Sequence, residues 1–178
     1  MPLPEARAGM KFKFDPRAAR NVAILVLLAV GAAALFFALD LRINLSPSHV
    51  QSGIYRARPA VSVVVGDVVA YDKDEFYDLC PRIREDRMEF KAHVVIKCVA
   101  AMSGALIELS GDAVAIDGAL YPEARILDDS WRKVEYPLVV PEGTVWLMAD
   151  TGNSYDSRYH GPLPMQLIRE KLQPILVW

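Results

Sequence analysis

The chain has 178 residues, 53% of them hydrophobic, and a formal net charge of −2. That length allows one domain plus an appendage, and the apolar fraction is high for a purely soluble protein. The slightly acidic balance offers no basic field for a nucleic acid, so DNA and RNA are excluded as expected partners.

The first forty residues account for much of the apolar content. From Asn21 to Leu39, "NVAILVLLAVGAAALFFAL" carries no charge, and at about 1.5 Å rise per residue it just reaches the roughly 30 Å hydrocarbon thickness of a bilayer. The run exceeds a signal-peptide core and no clean A-x-A site precedes Asp40, so a retained anchor is expected over a cleaved leader. Arg7, Lys11, Lys13, Arg17 and Arg20 lie before the run, and only Asp40 and Arg42 lie just after it. The positive-inside rule then makes residues 1–20 a cytoplasmic basic N-terminus, 21–39 a transmembrane helix in contact with lipid, and 40–178 a β-rich domain outside, in the periplasm.

Beyond the anchor the pattern changes. "VSVVVGDVVAYD", "FKAHVVIKCVAA", "ALIELSGDAVAIDGALY" and "YPLVVPEGTVWLMAD" are rich in Val, Ile, Tyr and Trp and are punctuated by Gly-Asp, Asp-Gly and Pro-Glu-Gly, which predicts strands joined by tight turns. Helices are expected at "DKDEFYDLC" and at "PMQLIREKL", where Pro164 could start one. The expected fold is mainly β. Cys80 and Cys98 form an even pair in an exported domain, which permits either a disulfide or two buried reduced thiols.

By local sequence alone, "NLSPS" reads as a turn and Lys97 in "HVVIKCVAA" as an edge-strand lysine reaching water. The order of segments changes this. "SPS" after a membrane helix, then "VVVGDVVAY", "VVIKCVAAMSG" and "LMADTGNSYDSRYHG", resembles the ordered boxes of bacterial type I signal peptidases. The opening "INLSPS…GIYR" is closest to the conjugative-transfer, TraF-type pilin-maturation peptidases. The likeness runs from Ile43 to Gly161, with "SYDSRYHG" its most specific part.

The resemblance implies a domain of coiled antiparallel β-sheet with an exposed apolar surface near the membrane, and a serine nucleophile served by a lysine base. A serine hydroxyl needs a base to remove its proton, and lysine can be that base only when burial keeps it neutral. Ser48 is then the expected nucleophile and Lys97 the base, with the Ser46 hydroxyl as an oxyanion donor and Pro47 between them fixing φ. By the same resemblance Ser154 orients the lysine amine, and Asp156 and Arg158, taken as two apart on a strand, form a supporting ion pair. Several positions depart from the family pattern: "SHVQSG" lacks a proline after the nucleophile, Cys98 stands where an arginine is usual, and "AMSGAL" and "MADTGN" replace the usual turns. These departures suggest a divergent, dedicated enzyme.

The implied activity is endoproteolysis of a membrane-delivered precursor, such as a pilin of a conjugative or type IV secretion system, by hydrolysis or by cyclisation. The implied location is a bacterial inner membrane, crossed once, and conjugation or secretion machinery is the implied partner. The alternatives are a general signal peptidase, a non-catalytic pilus or secretion assembly factor, and a self-cleaving Ser/Lys repressor. The last is disfavoured because an anchor stands where a DNA-binding domain would be. A Ser-His-Asp triad is not expected, since His49 adjoins Ser48 on the chain and points away from it, and no G-x-S-x-G elbow exists. His49, His93, His160 and the two cysteines lack zinc-site spacing, so neither a metal nor a cofactor is expected.

Overall fold

The computed structural model describes residues 16–45, 50–80, 93–128, 134–149, 152 and 154–178. The chain divides into two compact units, Met1–Leu39 and Asp40–Trp178. The first contains helix α1, Pro16–Ala38, which has Pro16 at its start and is long and apolar enough to cross a membrane. It begins five residues before the apolar run and ends one residue short of its end.

The second unit is mainly β. Strands β1 (Leu41–Asn44), β2 (Gly53–Pro59), β3 (Val68–Asp72), β4 (Val94–Met102), β9 (Thr144–Met148), β10 (Leu163–Pro164) and β11 (Ile168–Val177) form a seven-stranded antiparallel sheet in the order β1-β2-β11-β3-β4-β9-β10. Strands β5 (Leu106–Ser110), β6 (Ala113–Ile116), β7 (Ala119–Arg125) and β8 (Leu138–Val139) form a smaller antiparallel sheet, ordered β7-β6-β5-β8.

Strand β9 explains how the two sheets share a core. Side chains alternate along a strand, so Val145 and Leu147 enter one cluster with Val69, Tyr71, Phe76 and Val99, while Trp146 and Met148 enter another with Ile107, Val114, Ile116 and Val140. Both faces are buried, which is why "TVWLM" is apolar nearly throughout. Each of these large side chains contributes about 1.5–3 kcal/mol on leaving water.

Two expectations change, and one open alternative is decided. "PMQLIREKL" is not a helix: a single 3-10 turn, Met165–Leu167, leads into β11. Ile168 and Leu172 are buried four apart, a spacing that would share a helix face, but a register shift between Ile168 and Glu170 puts them in separate clusters, and the pairing of β11 with both β2 and β3 decides for the strand. In "VSVVVGDVVAYD" only Val68–Asp72 is a strand; the preceding valines form a loop closed by Val64 N–H on the Asp67 carboxylate at 2.7 Å. No disulfide joins Cys80 to Cys98. Cys80 packs against the first cluster together with Val95 and Val99, and Cys98, adjacent to Val99 on β4, points to the opposite face of the sheet.

The helix expected at "DKDEFYDLC" forms as α2, Lys73–Leu79. The Asp72 carboxylate caps it by accepting from Asp74 and Glu75 N–H, and Phe76 is its buried residue.

Candidate active site

Lys97 is placed by the register of β4. It stands directly opposite Val69 of β3 and shares the face of Val95 and Val99, so its side chain runs into the first apolar cluster and is 1% exposed. Burial is the main reason that its pKa falls to about 8. The nearby Asp156 carboxylate pulls it upward and Arg158 pushes it further down. Its Nζ donates to Ser154 Oγ at 2.8 Å.

Asp156 and Arg158 sit on a different element from the one the sequence suggests. Asp156 is the N-cap of a one-turn helix, α3 (Ser157–His160), its carboxylate accepting from Arg158 N–H, and Gly161 at φ +88° ends the turn. The pair still forms, now by wrapping round the cap: Arg158 Nε donates to Asp156 Oδ1 at 2.8 Å and Nη2 to Oδ2 at 2.7 Å. Both side chains are fully buried, so the pair belongs to the interior and not to the surface. Burial pushes the Asp156 carboxyl up, but the Arg158 hydrogen bonds and charge, the Lys97 charge and the Ala149 N–H outweigh it and hold the pKa below the usual carboxylate value. Arg158 also donates to the carbonyls of Arg125 at 3.0 Å and Ser154 at 3.3 Å. The ion pair thus grips the residue that hydrogen-bonds Lys97.

A cavity of about 810 Å³ opens beside Lys97. Asn44, Leu45 and Val50 form part of its wall, with Val94 to Lys97 of β4, and aromatic side chains including Phe76, Tyr155 and His160 line it as well. At its margin Arg42 pairs with Glu170 at 2.6 Å, and Arg169 pairs with Glu75. Ser46, Pro47, Ser48 and His49 lie outside the described residues.

Sequence reasoning did not find His160. Its ring lies 4.8 Å from that of Phe76, and Nδ1 donates to the Gly161 carbonyl at 2.8 Å. Burial lowers its pKa to about 4, with Asp156 and the Gly161 bond opposing this and Lys97 adding to it, so the ring is neutral near pH 7. The spacing of "SYDSRYHG" held no sign that a short helix would turn this histidine toward the lysine. His93 is elsewhere, exposed and 3.0 Å from the Asp74 carboxylate. Among the described residues no cluster of His, Cys, Asp and Glu is arranged to hold a metal.

This arrangement lowers the pKa of a lysine amine and holds it by a hydrogen bond beside an open cavity. Comparison with known proteins gives the family. A family model described as signal peptidase, peptidase S26, matches residues 17–178. A "Probable conjugal transfer protein TraF" from Sinorhizobium fredii is 31% identical over 89% of this chain and 88% of its own length. A "Conjugal transfer protein TraF" from Agrobacterium tumefaciens is 30% identical over 77% of this chain and 82% of its own. A crystal structure of a signal peptidase I from Enterococcus faecalis V583 is similar over 60% of this chain and 93% of that one, at 22% identity and a TM-score of 0.36.

Proposed function

Because the chain belongs to the signal peptidase family, peptidase S26, we propose that it is a membrane-anchored serine endopeptidase in which Ser48 is the nucleophile and Lys97 the general base. The observation that carries this reading is the state of Lys97: buried, with its pKa lowered to about 8, and hydrogen-bonded to Ser154 at 2.8 Å. A structural lysine has no need to be stripped of water in this way. Further support comes from the chain on either side of residues 46–49, since Leu45 and Val50 both line the cavity that Lys97 lines.

In the proposed reaction neutral Lys97 takes the proton of the Ser48 hydroxyl as its oxygen attacks the scissile carbonyl. The Ser46 hydroxyl donates to the oxyanion of the tetrahedral intermediate. The Lys97 ammonium then returns the proton to the departing amine, leaving an acyl-enzyme on Ser48. Ser154 holds the amine in line, and the Asp156–Arg158 pair holds Ser154. Water resolves the acyl-enzyme in hydrolysis; the substrate's own terminal amine does so in cyclisation. The substrate's extended segment pairs with an edge strand beside the cleft.

The likeness to conjugal transfer proteins supports a dedicated substrate, a pilin or other exported precursor of a conjugative system, over general removal of signal peptides. In this reading α1 crosses the bacterial inner membrane once, with the N-terminus cytoplasmic and the β domain periplasmic. The test is co-expression of the wild type, Ser48→Ala and Lys97→Ala with the precursor pilin of the same genetic neighbourhood, reading the pilin's intact mass. Shortening that requires both residues supports the peptidase, and loss of one further water supports cyclisation. An unchanged precursor beside folded wild-type protein overturns the pilin assignment.

A further inference from the structure

Asn44 ends β1, and its last register partner is Gly53 of β2. Side chains tie the two ends of the connection between them together. Asn44, 8% exposed, does so across the gap: Nδ2 donates to the carbonyls of Val50 at 2.9 Å and Gln51 at 3.2 Å. The buried Tyr55 hydroxyl donates to the same Gln51 carbonyl at 2.6 Å, and Trp178 N–H donates to the Ser52 carbonyl at 3.0 Å. Three successive carbonyls are therefore each taken by a donor. The next residue, Gly53, is held just as closely, since a Cβ there would lie 2.3 Å from the Leu176 carbonyl oxygen.

We propose that Asn44 is a positioning residue for the reaction: its carboxamide ties the end of β1 to Val50 and Gln51 and so sets the two ends from which the chain carrying Ser48 is presented to Lys97. This rests on the Ser48–Lys97 reading above. The amide is suited to the task because it offers two protons on one nitrogen to two carbonyl oxygens. A carboxylate of the same shape would instead set oxygen against oxygen. Misplacing a reacting atom by about 1 Å costs about 10²-fold in rate, and the loss falls on turnover more than on binding.

The test uses the full chain in detergent micelles, with a quenched fluorescent peptide spanning the cleavage site found in the co-expression experiment. Asn44→Asp is expected to lower kcat by about 10²-fold with KM within about twofold. The loss of kcat should exceed what any fall in the melting temperature accounts for. Asn44→His, which restores one ring N–H donor, should recover about tenfold. If Asn44→Asp does not fold, Tyr55→Phe decides, because it removes one hydroxyl and is expected to lower kcat about fivefold to tenfold. Wild-type kcat in these variants, beside inactive Ser48→Ala and Lys97→Ala, overturns the role of Asn44 and leaves the dyad standing. Activity retained by Ser48→Ala or Lys97→Ala overturns the dyad, and the proposal with it. A loss of kcat that tracks a falling melting temperature, without rescue by Asn44→His, shows a folding role only and also overturns it.

Discussion

Lys97 sets the sign of a test at the scale of single residues. An unfolded chain keeps a lysine protonated to about pH 10.4, whereas in the fold Lys97 releases its proton near pH 8. Between those values the native state binds fewer protons, so stability rises with pH across the window, and below it the cost of the buried ammonium is felt in full. The shift corresponds to about 3 kcal/mol. Lys97→Met is therefore expected to abolish peptidase activity while stabilising the domain by about 2–3 kcal/mol at pH 7, with the gain shrinking toward pH 10. Denaturant unfolding at the two pH values checks this, and a variant less stable than the wild type at pH 7 would reverse the sign. Asp156→Asn acts in the other direction. It leaves the Arg158 guanidinium buried without its carboxylate, at a cost of about 3–5 kcal/mol, and removes the upward pull on Lys97. The midpoint of the pH–rate profile should move below about 8 as stability falls, and an unmoved midpoint would show that the pair acts on packing alone.

At the scale of elements, the helix α2 shows what a sequence can disclose. Asp72 ahead of "KDEFYDL" supplies the cap and Phe76 the buried contact, and both belong to the segment itself. The strand β11 shows the opposite. Ile168 and Leu172, four apart, suit a helix, and the deciding partners, in β2 and β3, lie 97 to 124 positions earlier in the chain. The ion pair of Asp156 and Arg158 was legible as a pair, but its place on a helix cap was not, because Ala149 N–H on β9 and the φ of Gly161 fix that turn from outside the motif. The burial of Lys97 was expected only through the order of the segments, since eight apolar neighbours do not reveal which face of a strand is dry. The role of α2 follows from its packing: Phe76 belongs to the cluster that buries Lys97 and also lines the cavity. Phe76→Ala is expected to cost about 3–5 kcal/mol, and by admitting water it should move the pH–rate midpoint upward from about 8 toward the ordinary lysine range. A measured midpoint at or below the wild-type value would exclude α2 from the control of Lys97.

For the molecule as a whole, the two units call for different solvents. Valines, leucines and phenylalanines of α1 stand exposed, among them Leu27 at 70% and Phe37 at 75%, a surface that lipid or detergent would accommodate. The full chain should stay with the membrane through an alkaline carbonate wash, while a chain starting at Asp40 should be released by it. Release of both would show that α1 does not anchor the protein. The burial of Lys97 also has a consequence for a population of molecules rather than for one of them. With a pKa of about 8, only about one copy in ten holds an uncharged amine at pH 7. Each further unit of acidification thins that ready fraction about another tenfold. With Lys97 as the proposed base, acidity alone would then throttle turnover, with no inhibitor, no effector and no change in the amount of enzyme.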